Sequence, residues 1–450
     1  MNINLNDILK SIKPILIEYN YDKAKKYPIK KISIDSRDID INTLFIAIKG
    51  QSHDGHDYIH EALEKGSVAI ISSKNFNQEC PNIIVKDTVA ALGLIASYLL
   101  DKISPSSIIG ITGTNGKTSV TNIVYNILST LNPSLKTFKN YNNLIGLPLS
   151  IFNTNFNEKH FILEMGASKS GDINDLIQIA KPNIVALLNA SEAHLDTFKD
   201  IDNIVNTKGE ILSYQGFPKT VILNRDDKFY EIWLDKSKHN KIVTISMTTK
   251  ADYYLISSDK DYINIRTKDN QIIKLINDNY EPYIILNLLF SIAITMEAGA
   301  NLENIIEGIN STKNISGRFN MLRGENECLI IDSTYNANPE SFKANIDSLV
   351  QMDGTPWLIM GDMGELGDMA LNFHAEIASY AKYKGVEKIF IISKYSDVIS
   401  NAFGENSHIF NDKKSLINFI KPIIQKENNI LIKASRFMNF EIIVDALTTI

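Results

Sequence analysis

Cysteine is nearly absent. Cys80 and Cys328 are the only two in 450 residues, and they lie far apart without metal-ligand spacing, so neither a disulfide framework nor a zinc knuckle is implied. A reducing cytoplasm is the expected setting. Positive charge is not in excess either: 46 Lys and Arg stand against 52 Asp and Glu, a net charge of −6, and nothing in that balance argues for nucleic acid as a partner. No run of about 18 apolar residues occurs. The opening MNINLNDILKSIKPILIEYN mixes apolar with polar and charged positions and lacks a signal-peptide core. Neither export by a signal peptide nor a membrane span is expected. Internal repeats and low-complexity segments are also missing. What remains is an ordinary globular composition, 44% hydrophobic and 22% charged, long enough for two or three domains.

The hydrophobic pattern divides the chain into three α/β sections. The first has a helix over Ile8 to Tyr19, strands at Ile32 to Ile34 and Leu44 to Ile48, a helix over Ile59 to Lys65, and the β-rich runs VAIIS and NIIV. A helical run from Thr88 to Leu100 and the patch ISPSS precede an apolar strand at Ile108 to Thr112. Further apolar runs then end in Glu164, Asn189 and Asn224, with segments of helical period between most of them, which predicts a parallel sheet with crossover helices. Short alternating strands between Ile242 and Ile276 predict a small antiparallel addition, and helix returns over Tyr283 to Gly299. The third section repeats the theme, with LII before Asp332, WLIM before Gly361, IFII before Ser393 and ILI before Lys433. The expected boundaries are 1–86, 87–313 and 314–450.

The strongest local signal lies after the strand at Ile108 to Thr112. Gly113, Thr114, Asn115, Gly116, Lys117 and Thr118 form GTNGKT, and the following Val120, Ile123, Val124, Ile127, Leu128 and Leu131 share one helix face. Such a loop aims backbone N–H groups at phosphate oxygens, with Lys117 reaching the β and γ phosphates and Thr118 the magnesium. Ile111 stands where a strict phosphate-loop pattern has its first glycine, and Gly110 is displaced by one. Nucleoside triphosphate binding is the expectation, against a plain glycine turn capping a helix.

Open α/β sheets bind ligands beyond the C-terminal ends of their strands, which makes Glu164 a candidate magnesium ligand or a solvated strand end. His194, in NASEAHLDTF, is a candidate ligand or a packed histidine. Lys208 is more unusual, because it shares the apolar face of Ile201, Ile204, Val205, Ile211 and Leu212. An inward lysine is costly as a free cation. Carbamylation by carbon dioxide, giving an anion able to ligate magnesium, and an ion pair with Glu210 both answer that cost.

Together GTNGKT, EMGAS, NASEAHLDTF, KGEIL and the NRDD after Leu223 resemble the Mur ligases, ATP-dependent amide-forming enzymes of peptidoglycan precursor synthesis. IDSR (Ile34 to Arg37) and LFIAIKGQSHDGHDYIHEAL are similar to the N-terminal uridine-diphosphate-binding domain of the third and fourth ligases. YNANPESF (Tyr335 to Phe342) and MGDMGELG (Met360 to Gly367) resemble the fourth, which adds D-alanyl-D-alanine to UDP-N-acetylmuramoyl-tripeptide through an acyl phosphate. The diamino-acid-adding ligase would carry DNPR in place of YNANP, and the folate polyglutamate type lacks the IDSR domain.

The resemblance implies a role for each matched residue. Lys117 contacts the transferred phosphate, Thr118 and Glu164 hold one magnesium, and His194 with carbamylated Lys208 holds a second. Asn287 contacts adenine, Arg318 a phosphate, and Asp332 the ribose or a hinge. Ser36 and Arg37 hold the UDP-sugar, Asn142, Asn143 and Gly146 the growing peptide, and Asn336 and Asn338 lie beside the dipeptide. The implied fold is three tandem α/β domains with a central phosphate-loop sheet and a Rossmann-like third domain that closes about the SGR segment near Gly317. The implied partners are these small molecules, in a cytoplasmic monomer. The chain departs from the family at Ser333, where a second acid is usual, at Pro282 and Tyr283 before the adenine-site asparagine, and at Ala434, where a glycine of unusual dihedral would not readily tolerate a side chain.

Overall fold

Strands buried on both faces need uninterrupted apolar sequence, and the apolar runs of this chain supply the middles of three large sheets. The computed structural model describes residues 3–22, 27–50, 52–76, 80–192, 195–212, 216, 218–277, 281–312 and 317–448. The first sheet has five strands in the order Leu16–Tyr19, Asn82–Val85, Ser67–Ser72, Thr43–Ile46, Lys31–Ser33, all parallel except the first pair. Here the expected helix over Ile8 to Tyr19 is corrected. Helix runs only over Leu5–Ser11, a 3-10 turn over Lys13–Ile15 contains Pro14, and Leu16–Tyr19 is an edge strand. Proline cannot continue a helix interior, so the chain turns and extends.

The second sheet has nine strands. From Ser134–Lys136 through His160–Glu164, Ser107–Thr112, Ile184–Leu187, Thr220–Asn224 and Lys241–Ser246 to Tyr253–Ser258, every neighbouring pair is parallel. Tyr262–Arg266 and Ile272–Ile276 then add antiparallel to the same edge. The antiparallel region is therefore smaller than its sequence suggested, since Lys241–Ser246 belongs to the parallel sheet.

One hydrophobic core joins the first two sheets. It contains Leu5, Ile8 and Ile12 of the first section, Leu92, Ile95 and Leu99 of the helix Thr88–Ile103, and Leu163, Leu176 and Trp233 beyond it. That helix packs closely on the helix Asp172–Ala180: a Cβ on Gly93 would lie 2.8 Å from Ile179 Cδ1. The opposite face of the nine-stranded sheet is covered by the helices Lys117–Leu131, Pro282–Glu297 and Leu302–Asn310.

The third sheet has six strands in the order Asn320–Arg323, Leu329–Ser333, Asn428–Lys433, Thr355–Met360, Lys388–Ile391, Ser407–Ile409, parallel except at the first pair. Separate cores cover its two faces. Ala434, expected to sit poorly where a glycine is usual, is accommodated without strain. Its φ is not positive, and Gly361 on the adjoining chain leaves room for its methyl, since a Cβ there would approach Ala434 Cβ to 2.6 Å.

Candidate active site between the second and third sheets

The C-terminal ends of strands from both sheets face one cavity of about 1760 Å³. Single-ligand pockets run to roughly 1,000 Å³, so this space suits more than one substrate. On one side lies the GTNGKT loop. Gly113 and Gly116 adopt φ of +155° and +85°, values that favour glycine, and a Cβ on Gly116 would meet Asn287 Oδ1 at 2.6 Å. Asn287 thus packs against the loop from the helix Pro282–Glu297. Asn189 pins the loop from the neighbouring strand end. Its Oδ1 accepts the N–H groups of Thr114 and Asn115 at 3.1 and 2.9 Å, and its amide donates to Asn115 O at 3.2 Å.

Lys117 begins the helix and folds back, donating to Gly113 O at 2.8 Å and Thr114 O at 3.0 Å. Burial lowers its pKa, opposed by Glu164 and reinforced by Arg318. Glu164 Oε2 accepts from Thr118 Oγ1 at 2.8 Å, and its Oε1 accepts from Asn142 Nδ2 at 2.8 Å. Two hard oxygen donors therefore meet at the loop mouth. That donor set fits magnesium, which binds through one or two protein oxygens together with phosphate and water.

Lys208 lies in the helix Ile201–Gly209, 4% exposed, on the inward face its spacing indicated. Burial, then the Lys117 charge, pushes its pKa down to about 7. Glu210 makes no ion pair with it. That carboxylate accepts the N–H groups of Gly171 and Asn174 at 2.8 and 2.9 Å, capping the helix Asp172–Ala180. Among the described residues Lys208 Nζ has no hydrogen-bond or ion-pair partner. His194 lies outside the described residues.

The third sheet supplies the facing wall. Asn338 caps the helix Pro339–Gln351 and its Nδ2 donates to Asn115 Oδ1 at 2.8 Å, while Asn115 Nδ2 donates to Glu340 Oε2 at 2.7 Å. Arg318 stacks over the Tyr335 ring, 4.1 Å from guanidinium carbon to centroid. Asp332 is buried and does not line the cavity. Its carboxylate holds backbone, accepting from Gly317 N at 2.8 Å and Thr334 Oγ1 at 2.7 Å. Asn336 lines the cavity and accepts, through its carbonyl, from Lys433 Nζ at 2.9 Å.

The peptide-site candidates divide. Asn142 and Asn143 line the cavity, and Asn143 Oδ1 caps the helix Gly146–Ile151 by accepting from Gly146 N at 2.8 Å. Gly146 is needed for close approach, as a Cβ would lie 2.4 Å from Tyr141 Cα. Ser36 and Arg37 lie in the turn after the strand Lys31–Ser33 of the first sheet and do not line this cavity. Ser36 donates to Glu61 at 2.8 Å, and the Arg37 side chain, 82% exposed, pairs with Asp35 at 2.8 Å. Asn189, Glu340 and Lys433 carry parts of the site to which the sequence assigned no role. Their signals were position and motif: Asn189 ends an apolar strand as Glu164 does, Lys433 opens the segment Lys433-Ala434-Ser435-Arg436 in which Ala434 departs from the family, and Glu340 lies beside the YNAN segment.

Three stretches of the chain match family models: the Mur ligase family catalytic domain over 28–97, the Mur ligase middle domain over 111–295, and the Mur ligase glutamate ligase domain over 317–436. The UDP-N-acetylmuramoyl-tripeptide–D-alanyl-D-alanine ligase of Buchnera aphidicola subsp. Baizongia pistaciae is 32% identical over 461 residues, covering 99% of this chain and 98% of that one. Among solved structures, MurF from Acinetobacter baumannii shares the fold at TM-score 0.90, with 24% identity over 98% of this chain and 97% of that chain. The MurF ligase from Thermotoga maritima in complex with ADP aligns at TM-score 0.80 and 26% identity, over 92% of this chain and 96% of that one. With its phosphate loop, its strand-end carboxylate and this near end-to-end likeness, the chain belongs to the Mur ligase family.

Proposed function

We propose that this chain joins D-alanyl-D-alanine to UDP-N-acetylmuramoyl-tripeptide at the expense of ATP, in peptidoglycan precursor synthesis. The observation that carries the reading is the single cavity with the GTNGKT loop and Glu164 on one wall and Asn336, Asn338 and Lys433 on the other. Condensing a carboxylate with an amine is uphill in water, so the acid is first activated. Its oxygen attacks the γ-phosphate, giving an acyl phosphate and ADP. The dipeptide amine then adds to the acyl carbon, loses its proton, and phosphate departs.

Phosphoryl transfer rests on positioning and charge neutralisation. The loop N–H groups hold the phosphates, and Lys117 exchanges its contacts with Gly113 O and Thr114 O for phosphate oxygens. Thr118 and Glu164 would hold magnesium, which supplies charge to the transferring phosphoryl group. Lys208, its pKa brought down to about 7 and without a hydrogen-bond or ion-pair partner among the described residues, suits reaction of its free amine with carbon dioxide, and the resulting carbamate would be an added anion at this wall. His194 is assigned with it by resemblance. In this reading residues 1–86 hold the uridine diphosphate through Ser36 and Arg37, 87–313 hold ATP, and 314–450 receive the dipeptide, with Asn287 and Arg318 on the nucleotide. ATP and a nucleotide-sugar substrate agree with a cytoplasmic reaction.

Phosphate release assayed with D-Ala-D-Ala, meso-diaminopimelate, glutamate and no acceptor tests the reading. Release is expected only with the dipeptide. Release that follows diaminopimelate, or that needs no amine, overturns it. For the carbamate, Lys208→Ala is expected to abolish turnover and short carboxylic acids to restore part of it, whereas unaffected turnover removes that assignment.

A further inference from the structure

Lys136 ends the edge strand Ser134–Lys136 of the nine-stranded sheet and is half-buried on the wall of the cavity. Its Nζ donates to Asn122 Oδ1 and lies over the Tyr125 ring, 4.5 Å from the centroid. An ammonium group donates three hydrogen bonds. With one on Asn122 and one face on the ring, a donor of Lys136 is left for a ligand. Among the described residues no carboxylate makes an ion pair with it, and burial lowers its pKa with no acid opposing. A cation so placed without a counter-ion is costly. Lys139 borders the same cavity, with its Nζ over the Phe138 ring at 5.2 Å. The segment 136–140 thus brings two ammonium groups to the cavity and no acid.

Direct contacts place this lysine beside the reacting centre. Asn122, which accepts from it, donates through Nδ2 to Thr118 O at 2.7 Å, and Thr118 Oγ1 donates to Glu164 at 2.8 Å. The next residue, Thr137, accepts the backbone N–H of Glu164 on its Oγ1 at 2.8 Å. The carboxylate to be activated is that of the peptide's third residue, and it must meet the phosphate loop at this mouth. An anion that reaches Lys136 from there is carried by the side chain of the same residue. Diaminopimelate and lysine both end in an amine, but only diaminopimelate has a carboxylate beside it. The lysine ammonium would meet Lys136 as a like charge. We propose that Lys136 is a specificity residue that binds the distal carboxylate of a diaminopimelate third residue, with Asn122 and Tyr125 orienting its ammonium group. This rests on the dipeptide-ligase reading above.

The test compares UDP-N-acetylmuramoyl-tripeptides ending in meso-diaminopimelate and in L-lysine, using full-length enzyme, ATP, D-Ala-D-Ala and phosphate release. A charge-assisted hydrogen bond corresponds to roughly 10- to 100-fold in affinity, and the wild type is expected to prefer the diaminopimelate substrate in kcat/KM by about that factor. Lys136→Met keeps the apolar stem and is expected to bring the two substrates within about threefold by raising KM for the diaminopimelate one, with KM for ATP and for the dipeptide unmoved. Lys136→Arg is expected to keep the preference. Lys136→Glu is expected to reverse it, and decides the matter if Lys136→Met does not fold. A wild type indifferent to the third residue overturns the assignment without any variant. So does a Lys136→Met enzyme that keeps the preference, that loses equally with both substrates, or whose loss is confined to KM for ATP. An equal loss would put the cation on a carboxylate the two peptides share. Wild-type enzyme inactive with both tripeptides would instead overturn the dipeptide-ligase reading, and this one with it.

Discussion

Asn338 donates its side-chain amide to Asn115 Oδ1 across 2.8 Å, tying the helix that follows YNAN to the tip of the phosphate loop. Asn115 returns a hydrogen bond to Glu340 on that same helix at 2.7 Å. One side chain of the loop therefore reads whether the third domain is in place. Asn115→Ala removes both bonds while leaving the loop's backbone N–H groups, so KM is expected to rise for ATP and for the acceptor together. With each bond contributing about 1 kcal/mol, kcat/KM should fall roughly 10-fold or more. Initial-rate kinetics that show the acceptor KM unchanged would refute the coupling.

Glu164 accepts from Thr118 on one oxygen and from Asn142 on the other. Glu164→Gln keeps the shape but can satisfy only one of those donors, and its NH₂ faces the second. If Glu164 holds magnesium as proposed, turnover is expected to drop about 100-fold or more with the loss of that anionic ligand, and the magnesium concentration for half-maximal rate should rise. Folding stability should change by only about 1 kcal/mol. A large loss of stability with an unchanged magnesium requirement would mean that the carboxylate is structural.

Gly308 on the helix Leu302–Asn310 lies where a Cβ would come within 2.4 Å of Ile127 Cα on the phosphate-loop helix. Backbone cannot yield as a side-chain tip does, so Gly308→Ala should force the two helices apart at a cost of about 1 to 3 kcal/mol. Urea denaturation measures that loss, and weakened nucleotide binding should accompany it. A variant as stable as the parent would show that the helix pair can relax freely.

His374 is fully buried and neutral in its role: Nδ1–H donates to Ala370 O at 2.6 Å, and Nε2 accepts from Met363 N at 2.9 Å. Burial lowers its pKa, against the opposing effects of Ala370 O and Asp362. The unfolded chain, titrating near 6.5, therefore takes up a proton first as pH falls. The stabilisation is fully present above about pH 6.5 and declines as pH drops from there through the folded-state pKa. Melting temperatures between pH 7.5 and 5.5 should fall more steeply for the parent than for His374→Gln. Parallel curves would exclude this histidine as the source.

Much of this architecture was legible because it is local. A strand, a glycine loop and a helix of fixed period lie consecutively at Ser107 to Leu131, and Lys208 declared its burial by sharing a face with Val205 and Leu212. The strand Leu16–Tyr19 was obscured because LIEY lies at a sheet edge, where apolar alternation is weak, and Pro14 was the better guide. The roles of Asn189, Glu340 and Lys433 were not legible. Glu340 meets Asn115 across 225 residues, a contact that exists only once the second and third sheets face each other, and Lys433 meets Asn336 across 97, a contact that exists only once two distant strands of the third sheet pair. Asp332, matched by resemblance to the ribose or a hinge, has its carboxylate on the backbone of Gly317 and Thr334.

The core that runs without a break from Ile8 through Leu99 to Trp233 bears on how such a chain can be taken apart. Deleting or transplanting residues 1–86 would strip the helix Thr88–Ile103 of the part of its covering that the helix Leu5–Ser11 supplies and open this shared core to water. The first two sections must therefore be inherited and engineered as one piece, whereas the last, with cores of its own, is the part that can be exchanged.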